Sequence, residues 1–135
     1  MSLTAVSLAG YIAWTMLLLL VLAGYRTKLA NSEARGLKFK ADGSDVPEFG
    51  LRLTRAQANC SESFAFIGGT MLLALATGQS GLTDGLALVL LAARLGQSIV
   101  HIISISNMAI QIRFILFLIQ FGICGYWLFA MLTQL

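Results

Sequence analysis

The chain has 135 residues, 58% of them hydrophobic and only 11% charged, with a formal net charge of +3. Soluble domains carry about 25% charged residues, so the composition excludes a water-soluble core and points to one membrane domain over residues 1–135. A single proline and no low-complexity tract exclude a disordered chain, and no nucleic-acid partner is expected.

Residues 3–23 carry no charge. The run is too long for a signal-peptide core and lacks a basic start or a small-x-small cleavage site. A first membrane helix is expected over about 3–25, with Tyr11 and Trp14 toward its outer end and Tyr25 toward its inner end. Residues 25–55 hold seven of the nine basic residues: Arg26, Lys28, Arg35, Lys38, Lys40, Arg52 and Arg55. Glu33, Asp42, Asp45 and Glu48 accompany them. Turn chemistry at residues 41–47 makes 26–51 read as a solvated loop that fixes topology.

A second helix is expected over about 52–77. Its apolar run, residues 64–76, is shorter than the roughly 20 residues needed to cross a bilayer. To span, it must draw Asn59 and Glu62 into the membrane. At 100° per residue, Arg52, Arg55, Asn59 and Glu62 fall within an arc of about 80°. A carboxylate at that depth costs roughly 2.5–3.5 kcal/mol unless it is paired or lines a wet cavity. Gly68-Gly69 reads as close helix packing rather than a phosphate loop.

Residues 77–85 form a short polar loop without a basic residue, where Thr83 or Asp84 can cap the third helix. That helix, about 85–105, places Arg94, Gln97, Ser98, His101 and Ser104 on an arc of about 120°. Residues 104–107 are the connection to a fourth helix, about 108–133. On it Arg113 and Gln120, seven residues apart, share a face, and Tyr126 and Trp127 suit the far interface. Cys60 and Cys124 lie in apolar spans and read as free buried thiols. One histidine and two separated cysteines match no zinc spacing.

The lysine and arginine asymmetry puts loop 26–51 in the cytoplasm and both termini on the opposite side. Helix rise then sets Glu62 roughly 12 Å and Arg94 roughly 15 Å inside the cytoplasmic surface. Arg113 lies a few residues into its helix, so the polar faces converge on one pocket. Glue is one reading: Glu62 pairs with Arg94 or Arg55, and Asn59 bonds across helices. Yet Arg52, Arg55, Arg94 and Arg113 exceed Glu62 by about three charges, which favours an anionic ligand bearing carboxylates. His101 suits either a structural hydrogen bond or a donor or base at the ligand.

The pattern Arg52-x-x-Arg55-Ala56-x-x-Asn59-x-x-Glu62, followed by Arg94-x-x-Gln97-x-x-x-His101, resembles the MAPEG family of membrane-associated proteins in eicosanoid and glutathione metabolism. Within that family the chain looks like the microsomal glutathione transferases. The likeness covers nearly the whole chain. It implies an all-α membrane protein, a four-transmembrane-helix bundle assembled as a homotrimer. It further implies glutathione as co-substrate between subunits, held by Arg52, Arg55, Asn59, Glu62, Arg94, Gln97 and His101, with Arg113 as the catalytic group that stabilises the thiolate. His101 stands where the family commonly has tyrosine, and Ala58 where one branch has another arginine. The implied activity is a glutathione-dependent transferase or peroxidase acting on lipophilic electrophiles in the membrane. The alternative is a non-catalytic lipid-binding or assembly protein of the same fold, since the family includes a lipid-presenting member. A proton-coupled exporter using Glu62 is disfavoured, because the arginines would hold that carboxylate ionised.

Overall fold

A computed structural model describes residues 2–33 and 38–134; Arg35 of the basic loop and the side chain of Glu33 lie outside the described residues. Four helices run through the described residues: α1 (Leu3–Glu33), α2 (Glu48–Ala76), α3 (Ser80–Ile103) and α4 (Asn107–Leu132). α3 packs on the other three, α1 on α2 and α3, and α2 on α4; α1 and α4 do not meet.

α1, α3 and α4 are each long and apolar enough to cross a membrane. Their outer surfaces are broad and apolar, with Met16, Leu20, Phe114, Phe121 and Phe129 among the exposed side chains. A soluble bundle would bury such continuous faces. α2 is long enough but, carrying Arg52, Arg55 and Glu62, falls outside that apolar group.

Several expected boundaries move. α1 does not stop near residue 25 but continues to Glu33, because residues 26–33 contain no glycine or proline to break it. α2 starts at Glu48, four residues early. Pro47 precedes it with φ −55°, and its carbonyl accepts from the Leu51 N–H at 3.0 Å. The loop 26–51 is therefore largely helical at both ends. α3 starts at Ser80, and neither Thr83 nor Asp84 caps it. Asp84 Oδ1 instead accepts from the Thr4 N–H at 2.8 Å and the Thr4 hydroxyl at 2.6 Å, while Thr4 and Thr83 share a hydrogen bond. A carboxylate on α3 thus serves the open N-terminus of α1, where it is favoured. α4 begins at Asn107, with Ser106 Oγ accepting from the Ala109 N–H at 3.2 Å.

Tyr11 and Trp127 are core residues, not interface anchors; both are 0% exposed. The Tyr11 hydroxyl donates to the Cys60 carbonyl at 2.6 Å, and its ring meets Phe64 edge-on at 5.3 Å. Leu18, Ile67, Met71, Leu90 and Met131 complete the cluster. Cys60 and Cys124 are free and buried. Gly68 leaves room for the Phe64 ring of its own helix, whose Cε2 would stand 2.5 Å from an added Cβ; around Gly69 the space is open. The glycine pair therefore does not mark a close helix crossing.

Candidate functional site

At the basic end of the bundle α2 presents Arg55, Asn59 and Glu62 at helical spacing, α3 presents Arg94 and His101, and α4 presents Arg113. A cleft of about 470 Å³ opens there, lined by Arg55, Ala58, Asn59 and Glu62 of α2, His101 of α3, and Ala41 and Asp42 of the connecting segment. Arg55, Asn59, Glu62 and His101 are thereby brought together; of the other expected site residues Arg94 and Arg113 lie near them, while Arg52 and Gln97 do not join them.

Arg94 is 1% exposed. Its Nη2 donates to Asn59 Oδ1 at 2.6 Å, while its Nε and Nη1 have no hydrogen-bond partner among the described residues. A guanidinium is donor-only, so this contact fixes the Asn59 amide with its carbonyl inward. The Asn59 NH2 is the group left to face the cleft. Arg94 also lies within electrostatic reach of the Tyr11 hydroxyl. The glue reading therefore holds for Asn59 and fails for Glu62, which is exposed and makes no ion pair among the described residues.

Arg113 is half-buried, with its Nε unpartnered. It lies close to both Arg55 and His101, and His101 feels Arg113, Arg55 and Arg94 together. Three guanidinium groups thus lie within electrostatic reach of one imidazole. Arg52 does not belong to this group. It forms an ion pair with Glu48 at 3.3 Å, and its Nε donates to the Ile102 carbonyl at 2.7 Å. That carbonyl lies in the last turn of α3, where a cation is favoured. Gln97 also points elsewhere: its Oε1 accepts from Gln120 Nε2 at 2.7 Å, joining α3 to α4.

Sequence reading missed the part played by the connecting segment. Asp42 Oδ1 accepts the Ser44 N–H at 3.0 Å, a bond that holds its carboxyl below the usual aspartate range. The turn's share of stability from this bond is present at neutral pH. It fades only as the pH falls below the ordinary aspartate value and through the lower folded one. Gly43, with φ 76°, is buried, and an added Cβ would stand 2.9 Å from Thr54 Cβ. Turn chemistry was visible in the sequence; its seat on α2 was not. Gly43→Ala should cost about 1–2 kcal/mol and loosen the turn, seen as lower thermal stability and faster hydrogen exchange at residues 41–45.

Arg55 lines the cleft with two carboxylates, Asp42 and Glu62, while Arg94 stands behind it on Asn59 and Arg113 lies within electrostatic reach of Arg55 and His101. The site has a cationic surplus with unpaired donors, suited to a small anion that also carries a cationic group. A model described as the MAPEG family matches residues 4–133. No curated protein and no solved structure matches the chain.

Proposed function

The chain belongs to the MAPEG family, and on that premise we propose that it is a glutathione-dependent transferase or peroxidase acting on lipophilic electrophiles within the membrane. The observation that carries the reading is the cationic surplus around the Asn59 amide. Glutathione has two carboxylates, one ammonium and one thiol. Its carboxylates suit Arg55 and the outward NH2 of Asn59, which Arg94 orients. Its ammonium suits Glu62. Its sulfur then lies toward α4, where Arg113 favours the thiolate, the nucleophilic form. Broad apolar faces beside the cleft give a lipophilic electrophile its route from the bilayer.

In this reading α2 crosses the membrane too, shielded by its neighbours, and the assembly is a homotrimer. Support comes from Arg55 and Glu62, which are exposed in the single chain and would be enclosed by a second subunit. The basic end faces the cytoplasm, since Arg26, Lys28, Lys38, Lys40, Arg52 and Arg55 stand at that end and the α2–α3 connection has no basic residue.

Calorimetric titration of glutathione into detergent-solubilised protein tests the reading, paired with conjugation of a chlorodinitrobenzene-type electrophile. Binding heat and turnover are expected. Neither would appear if the protein instead presents or stores lipid, a reading favoured by His101 in place of the family's phenol; co-purified lipid without glutathione binding would mark it. Arg55→Ala should weaken glutathione binding about tenfold, the loss of one charge-assisted contact, while turnover at saturation changes little.

A further inference from the structure

α1 is 31 residues long, roughly 46 Å at 1.5 Å per residue. The hydrocarbon core is only about 30 Å thick. About twenty residues from Leu3 fill it, which leaves the last ten or so of α1 standing in the headgroup layer. On that overhang Tyr25, Lys28, Leu29 and Ser32 follow the i, i+3, i+4, i+7 pattern of one helix face. Together with Phe49 at the start of α2 they line a crevice of about 290 Å³, separate from the cleft described above.

The crevice has two characters. Leu29, Phe49 and the Tyr25 ring make an apolar floor; the two rings meet edge-on at 5.5 Å, and Phe49 is 44% exposed. The Lys28 ammonium and the Tyr25 hydroxyl supply a cation and a neutral donor, and the Ser32 hydroxyl, which donates to the Leu29 carbonyl over a long 3.4 Å, can turn from that contact to a ligand. Lys28 makes no ion pair among the described residues, and Glu48, the carboxylate beside Phe49, is occupied by Arg52 at 3.3 Å. The shape depends on Gly50, because a Cβ there would stand 2.6 Å from a Tyr25 ring carbon.

We propose that this crevice holds the headgroup of an anionic phospholipid. Lys28 and the two hydroxyls take the phosphate, and Phe49 and Leu29 take the upper glycerol and acyl carbons. The depth, the unneutralised cation and the half-apolar lining match that ligand and not a soluble anion, which would have no use for the floor. The inference is independent of glutathione chemistry.

The protein reconstituted in phosphatidylcholine nanodiscs containing a minor fraction of phosphatidylglycerol provides the test, with retained lipid counted by native mass spectrometry. Wild type is expected to keep phosphatidylglycerol in preference to phosphatidylcholine. Lys28→Gln should lower that preference about fivefold, the effect of one lysine at an anionic surface, and Lys28→Arg should keep it. Lys38→Gln makes the same charge change on an exposed residue outside the crevice and should leave the preference intact. Equal losses in Lys28→Gln and Lys38→Gln would mean a diffuse basic surface and overturn the site, as would a wild type with no preference.

Discussion

Arg94→Met is expected to make the protein more stable and to weaken its binding of glutathione at least about tenfold. Arg94 is a cation only 1% exposed, and its Nε and Nη1 have no hydrogen-bond partner among the described residues. Replacing whole buried ion pairs with well-packed apolar side chains is often neutral or stabilising, by up to about 1–4 kcal/mol, and a lone buried cation without a carboxylate partner has less attraction to lose. The cost on the other side is small. Asn59 Oδ1 loses its donor at 2.6 Å, but Asn59 is half-buried and lines the cleft, so water can replace that bond. Binding should respond in the opposite direction. With Arg94 gone the Asn59 amide is free to rotate, and its NH2 is no longer held toward the ligand. The cleft also loses the buried cation that stands behind Asn59. Affinity should fall by at least about tenfold, a loss of 1.4 kcal/mol or more. Arg94→Lys keeps the charge but not the fork, and should bind between the two. Thermal unfolding in detergent and calorimetric titration measure the two arms. A Met variant that melts earlier than wild type would show that Arg94 is chiefly a structural tie between α2 and α3.

That opposition explains which parts of the site the sequence reveals. Charges in apolar helices are costly, so Arg94, Glu62 and Arg113 stand out against their surroundings, and helix rise alone places them at one end of the bundle. Pairing is another matter, because it depends on the rotation of one helix against the next. Asn59 rather than Glu62 meets Arg94, and Gln97 turns to Gln120 on α4; a helical arc of about 120° is too wide to separate these choices. Arg52 sits on the same α2 arc as Arg55 but serves the end of α3. Tyr11 and Trp127 illustrate a second limit. An aromatic ring with a polar tip fits an interface belt; the Tyr11 ring fits the core because the Cys60 carbonyl accepts its proton, while Trp127 is enclosed with its indole N–H unpartnered among the described residues. The segment over residues 41–45 illustrates a third. Its turn is written in Asp42, Gly43 and Ser44, while its contact with Thr54 depends on packing between segments that no local pattern records.

Arg113→Ala is expected to lower turnover far more than affinity. Arg113 is half-buried with its Nε unpartnered, and it stands close to Arg55 and His101 rather than lining the main cleft. In the proposed pose the carboxylates of glutathione are held by Arg55 and Asn59, and both remain in the variant, so binding should weaken only a few-fold. The sulfur loses its cation. A free thiol titrates near 8.5; a cation beside it favours the thiolate and lowers that value, so its removal raises it again. At neutral pH less of the bound glutathione is then thiolate, and the rate of attack should fall about tenfold and at most about 30-fold, because a thiol titrating near 8.5 is still about 3% thiolate at pH 7. The sign fixes the pH dependence. Below the raised value the variant is starved of nucleophile; as pH rises through it, turnover should climb toward the wild-type rate. Ultraviolet thiolate absorbance at saturating glutathione follows the ionisation directly, and the pH profile of turnover follows its consequence. If Arg113 only reaches outward to the membrane surface, the absorbance at neutral pH will be unchanged. Activation of the sulfur would then pass to His101 or to a serine of α3.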